Sequence, residues 1–141
     1  MLPNKINIKT IEVIDGDVAE VETSVFIIYN YNSRNAFLKA NNLKYSDFGE
    51  IFKNLLPNKD KDGNLIDYDI NKTEDAGLKF GQLTYFAIAE GMRMVKQDFK
   101  LTEKDVLAHL NADTSHFMEC LLHWSGTNPA SNKKKVAEEK A

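Results

Sequence analysis

Residues 58–69 (NKDKDGNLIDYD) hold the densest set of oxygen donors in the chain. Asn58, Asp60, Asp62 and Asp69 offer carbonyl and carboxylate ligands, Gly63 stands sixth and Leu65 eighth, which is much of a calcium-binding EF-hand loop. Three departures weigh against calcium. The loop opens on Asn rather than Asp, and it closes on Asp69, which is shorter than the usual bidentate Glu. Pro57 also interrupts the entering helix, and Asn71-Lys72-Thr73 is a poor start for an exiting one. The segment reads better as an Asp/Asn/Gly surface turn.

His116, Cys120 and His123 fall at i, i+4 and i+7 of an expected C-terminal helix, so they share one flank. Imidazole and thiolate suit zinc, and three ligands with an open position would describe a catalytic site. Cys120, however, borders the apolar stripe of Phe117, Leu121 and Trp124, where a small thiol simply packs. Helix neighbours also cannot supply the oriented third group and oxyanion donors that a nucleophilic cysteine needs. No glycine-rich phosphate loop, GxSxG elbow or HExxH motif is present. The sequence therefore predicts no catalytic residues, no metal and no cofactor.

A helix-turn-helix over residues 101–124 is the alternative with a biological role, with Ala108, Ala112 and Met118 at roughly suitable spacings. Its second helix would have to meet phosphates, yet residues 113–124 contain Asp113 and Glu119 and no Lys or Arg. A formal charge of −3 points the same way, since nucleic-acid binders normally carry a basic face. This pair is read as core packing, and no nucleic acid is expected as a partner.

The elements that would position any site follow from patterning. With 43% hydrophobic and 28% charged residues, a chain of 141 residues is expected to form one soluble domain. The longest apolar run, Val25–Tyr29, is too short to span a membrane. Met1-Leu2-Pro3-Asn4 leads straight into a strand pattern, so no signal peptide is expected. The single cysteine, Cys120, fits a reducing, cytoplasmic setting.

The predicted class is α+β, mostly α: an N-terminal β-hairpin followed by four or five helices in one domain over residues 1–126. Residues 5–14 and 18–23 flank Asp15-Gly16-Asp17. A three-residue loop there would set Ile11 opposite Val21, Val13 opposite Ala19 and Glu12 opposite Glu20. Ile6 and Ile8 are out of phase with Ile11 and Val13, which implies a bulge near Lys9-Thr10 or burial on both faces.

Helices are expected over roughly 25–41 (capped by Ser24), 47–56 (capped by Ser46), 75–98, and a closing pair started by Thr102 and by Asp113 or Thr114. VFIIY at 25–29 fits a buried strand equally well. Gly81 and Gly91 weaken the long helix unless something packs on them closely. Residues 57–73 read as a long polar loop, and 127–141 as a disordered polar tail carrying Lys133-Lys134-Lys135.

With the layout set out, the chain resembles the tail assembly chaperones of long-tailed, siphovirus-type bacteriophages. The resemblance spans residues 5–126: the hairpin INIKTIEVIDGDVAEVET, then SVFIIYNYNSRNAFLKANNL, SDFGEIFKNLL, GLKFGQLTYFAIAEGMRMV and LTEKDVLAHLNADTSHFMECLLHW. It is a match of layout and texture rather than of a diagnostic motif, and the long 57–73 loop corresponds to no family feature. The resemblance implies a non-enzymatic role in the host cytoplasm, with the tape measure protein and tail tube protein as partners and copies of the chain as further ones. It also implies a longer form made by ribosomal frameshifting, for which a Lys133-Lys134-Lys135 run could be encoded by slippery adenines. On this reading Ile6, Ile8, Lys133, Lys134 and Lys135 are the expected partner contacts.

Overall fold

A computed structural model of the chain describes residues 2–53, 55, 58–66 and 70–127. The fold is α+β and mostly helical, as expected: an antiparallel hairpin of β1 (Asn4–Ile14) and β2 (Asp17–Ile27) precedes five helices. These are α1 (Tyr31–Ala40), α2 (Asp47–Phe52), α3 (Ile70–Met94), α4 (Glu103–Ala112) and α5 (Thr114–Thr127). A small strand pair, β3 (Asn58–Lys59) and β4 (Leu65–Ile66), lies between α2 and α3.

The hairpin is longer and more regular than expected. Asp15 (φ 53°) and Gly16 (φ 84°) form a two-residue turn with positive φ at both positions, the geometry that an Asp-Gly dipeptide favours. Ile14 is therefore paired with Asp17, Val13 with Val18, Ile11 with Glu20 and Glu12 with Ala19. The three-residue loop and its Ile11–Val21, Val13–Ala19 and Glu12–Glu20 pairs are corrected by one position. The register runs unbroken to Asn4 and Ile27, so no bulge separates Ile8 from Ile11. Nor are both faces buried: Ile8 is buried on one face, whereas Ile11 and Val13 stand exposed on the other, so the change of phase marks the passage from root to tip.

The run 25–29 resolves as strand. Val25 and Ile27 are fully buried and complete β2, and α1 starts only at Tyr31 behind an Asn30 capping box with Ser33. Eleven β2 residues find partners in β1, a ladder that outweighs the helical spacing of Phe26, Tyr29 and Ser33. Helix α2 stops at Phe52 rather than 56, and Ser46 makes no side-chain cap; Asp47 instead accepts from the Lys44 N–H (2.9 Å). Leu55 still packs against the core from beyond the helix.

Helix α3 begins at Ile70, ahead of the expected 75, and ends at Met94. Lys96 adopts φ 58° there, while the N–H groups of Lys96 and Gln97 close back on Arg93 and Met92. Both α3 glycines are close-approach positions. A Cβ on Gly91 would run into the Phe26 carbonyl and lie 2.8 Å from the Ile27 nitrogen, so only glycine lets the end of β2 lie on the helix. The Ile28 N–H reaches the Ala87 carbonyl (3.1 Å) one turn earlier. Gly81 is covered by the Leu107 side chain of α4.

The core gathers where these elements cross. Ile8, Val25 and Ile27 from the hairpin meet Phe37, Phe80, Leu83, Ala87, Ile88 and Val106, all essentially without exposed surface. Phe80 is the hub of an aromatic cluster, with Tyr29, Phe52, Phe117 and Trp124 at centroid distances of 5.9, 6.4, 5.4 and 5.7 Å. The small hairpin thus uses its inner face at the root to join the helical core, which is how a two-stranded unit becomes stable.

Candidate functional site

The hairpin and its seat on the helices form the candidate site. With Ile14 and Asp17 as the pair flanking a two-residue turn, alternate pairs exchange ladder hydrogen bonds and the others turn their N–H and C=O groups outward. The outward set is Lys5, Asn7, Lys9, Ile11 and Val13 on β1, and Val18, Glu20, Glu22, Ser24 and Phe26 on β2. Near the root the helices meet both edges: on β2 the Phe26 N–H points at the Met92 sulfur (3.3 Å), and on β1 the Lys9 N–H donates to His109 Nδ1 (3.1 Å). Beyond Lys9 no other strand pairs with either edge among the described residues.

Residues 11–18 are exposed one after another, so the tip stands clear of the helices. Its outer face is apolar: Ile11, Val13 and Val18 are 77%, 72% and 74% exposed. Fully solvated β-branched side chains, grouped on a free sheet edge, are characteristic of a contact surface. Lower on the same face the two strands carry opposite charge, Lys5 and Lys9 on β1 against Glu20 and Glu22 on β2, and Lys9 Nζ lies 3.5 Å from Glu20.

All three histidines of the chain lie along the junction of the hairpin with α4 and α5. Because His109 Nδ1 accepts the Lys9 N–H, its proton sits on Nε2, and that nitrogen meets His116 Nδ1. His123 receives the side-chain amide of Asn4 (3.2 Å) and lies against the Tyr29 ring. Burial, and for His109 also the neighbouring His116, push His109 and His123 below the ordinary histidine value. Both hold the hairpin in the neutral form.

The zinc flank is not assembled. Cys120 is buried and hydrogen-bonded to Tyr29, its thiol pushed up to about 11 by burial. His116 turns to His109 and His123 to Asn4, and no group of three metal-ligating side chains occurs among the described residues. Residues 60–64 form the expected surface turn: Asp60 Oδ1 accepts the N–H groups of Asp62 and Asn64 (both 2.9 Å), which lowers its pKa. Its carboxylate is spent on the turn itself. Asp69 lies outside the described residues. In the α4–α5 pair, Ala108 and Ala112 are exposed while Cys120 and Leu121 are buried, so α5 presents Ser115, Met118, Glu119 and Leu122 outward, none of them basic.

The expected partner contacts are redistributed. Ile8 has no exposed surface and Ile6 is half-buried against the core, so these two anchor the hairpin instead of offering it. Lys133, Lys134 and Lys135 lie outside the described residues. Ile11 and Val13, which a three-residue turn would have set on one apolar face with Val21 and Ala19, are instead exposed beside Val18. The Asp15-Gly16 dipeptide was the signal that could have found them. Comparison with models of protein families, with curated proteins and with solved structures finds no match to this chain.

Proposed function

We propose that the chain is a tail assembly chaperone of a phage or prophage, a non-enzymatic protein that works in the bacterial host cytoplasm. It binds the tape measure protein and keeps it soluble while tail tube subunits are recruited. The observation that carries this reading is the projecting hairpin tip, whose exposed Ile11, Val13 and Val18 lie beside unpaired backbone groups. Such a surface suits reversible attachment to other chains through backbone pairing and a few apolar contacts.

The test is co-expression with the tape measure protein of the same tail gene cluster. The expected outcome is a several-fold rise in the soluble fraction of that protein, lost when Ile11, Val13 and Val18 are all changed to Lys. A tape measure protein equally insoluble with and without the chain defeats the reading. The frameshift part is checked separately, by mass spectrometry of the products of the intact gene for a longer form that shares this N-terminus.

A further inference from the structure

We propose that the seam between β1 and the α4–α5 pair is a proton-operated latch, in which protonation of His109 frees the root of β1 while the seam between β2 and α3 holds. The latch follows from how each strand is attached. Two polar contacts tie β1 to the helices, and in both the hairpin is the donor and an imidazole the acceptor. The Lys9 N–H reaches His109 Nδ1 on α4 (3.1 Å), and the Asn4 side-chain amide reaches the His123 ring on α5 (3.2 Å). The end of β2 is held by groups that do not titrate near neutral pH. The Ile28 N–H donates to the Ala87 carbonyl (3.1 Å), the Phe26 N–H points at the Met92 sulfur, and the backbone between them is seated on Gly91.

A neutral imidazole accepts at one nitrogen and donates at the other, whereas the imidazolium only donates. His109 spends its acceptor on Lys9, and its other nitrogen, Nε2, meets His116 Nδ1. A proton gained by this ring therefore lands on Nδ1, directly opposite the Lys9 N–H. Two donors then face each other, and a backbone N–H cannot turn away while β1 stays seated. Asn4 differs, because a flip of its side-chain amide presents an oxygen to a charged His123. His109 is thus the trigger, and His123 a contact that can adapt.

The surroundings of His109 favour a shut latch at neutral pH. Burial first, then the neighbouring His116 on α5 and Lys9 on β1, disfavour the cation; Asp113 after α4 and Glu20 on β2 favour it less strongly. Lys5 and Glu22 of the hairpin and Glu119 of α5 line the same cleft. Helix α3 meets α4 elsewhere, through Gly81 against Leu107, and among the described residues it gives this cleft no side chain. Opening returns the ring to water and to its ordinary affinity for a proton, so acid favours the open state. The ladder joins the two strands throughout, so the hairpin pivots on β2. Ile8 beside Lys9 has no exposed surface and Ile6 is half-buried, so the pivot uncovers the apolar root of β1.

The test is amide hydrogen exchange, read by NMR on the purified full-length chain and corrected for the intrinsic pH dependence of exchange. An imidazole in water is about tenfold more charged than neutral one pH unit below its ordinary value, so the Lys9 N–H should lose about tenfold in protection between pH ~7.5 and ~5.5. The Ile28 N–H, on the other seam, should keep its protection, which separates the latch from unfolding of the whole chain. His109→Gln offers Lys9 an amide oxygen that does not titrate, and should make Lys9 protection equal at both pH values. His123→Gln should leave most of the loss in place. A second measurement needs no variant: titrated by NMR in the unaltered chain, the His109 ring should stay neutral wherever the Lys9 N–H remains protected. The proposal is overturned by equal losses at Lys9 and Ile28, by undiminished Lys9 protection at the lower pH, or by a loss that persists in His109→Gln. A charged His109 ring beside a still-protected Lys9 N–H overturns it as well. None of these readings involves the tape measure protein, so the latch stands or falls apart from the proposed function.

Discussion

Two buried residues show how single side chains set limits on what this chain can do. Glu90 is only 8% exposed, yet Arg93, Asn32 and Asn30 all donate to its carboxylate. The hydrogen bonds from Arg93 above all, then those from the two asparagines, hold its pKa down to about 2. A depressed carboxylate stabilises the fold above the ordinary carboxylate range, and that contribution fades as pH falls towards the depressed value. Since Asn30 is also the N-cap of α1, this carboxylate ties the start of α1 to the end of α3. Glu90→Gln should cost about 1–3 kcal/mol in chemical denaturation at neutral pH, because it weakens charge-assisted bonds in a mostly buried site. An unchanged midpoint would show that the cluster is incidental. Cys120 makes the complementary point. A thiol buried beside Tyr29 and raised to about 11 stays protonated at neutral pH, which makes it a poor nucleophile. It should react with a thiol reagent only at the rate at which the fold opens, and rapid labelling of the native chain would contradict that.

At the scale of elements, the hairpin is held from two sides by different means. On the α3 side the contact is steric. Gly91→Ala would push a methyl group into the backbone of Phe26 and Ile27, which cannot swing aside as a side chain can, and we expect a loss of about 3 kcal/mol in thermal or denaturant unfolding. Gly81→Ala meets only the movable end of Leu107 and should cost clearly less; equal costs would mean that α3 and β2 are not in close contact. On the α4–α5 side the contact is polar and pH-sensitive. His109 and His123 have depressed pKa values, so the unfolded chain takes up protons first as pH drops below about 6.5, and stability falls with pH through that window. The groups facing His109 are His116 and Asp113 from the helices, and Lys9 and Glu20 from the hairpin. His109→Gln, which keeps an acceptor for the Lys9 N–H and cannot titrate, should flatten the decline in melting temperature between pH ~7.5 and ~5.5. These elements also explain what the sequence could and could not reveal. The Thr102–Asp105 capping box and the apolar stripe around Phe48 and Phe52 are local signals, and both produced helices. The fate of VFIIY was not local, since its helical spacing and its β-branched texture conflict until β1 provides a partner. Counting Asp17 into the turn slipped β2 by one residue against β1, which set Val21 and Ala19 opposite Ile11 and Val13 where the structure sets Glu20 and Val18.

For the whole molecule, the arrangement divides stability from contact along the length of one hairpin. The root, from Asn4 to about Thr10 and from Val21 to Ile27, supplies Ile8, Val25 and Ile27 to the core, while the stretch from Ile11 to Val18 supplies it with nothing. A fold built only for stability gains little from a solvated apolar tip and risks aggregation by it, which is the physical ground on which the proposed function places its contacts there. The division can be tested by shortening the hairpin without disturbing its register. Ile11 pairs with Glu20 and Glu12 with Ala19, so deleting these four residues removes two cross-strand pairs and leaves the Asp15-Gly16 turn. Every remaining side chain keeps its face, because two residues leave each strand. The shortened chain should unfold within about 1 kcal/mol of the full one, since the deleted residues contribute no fully buried side chain and their Lys9–Glu20 ion pair is solvent-exposed. On the proposed function it should also no longer raise the solubility of the tape measure protein. A large loss of stability would place the tip within the fold's own support. A shortened chain that still raises that solubility would move the contact surface of the proposed function to the exposed Leu78, Met118 and Leu122 on the helices.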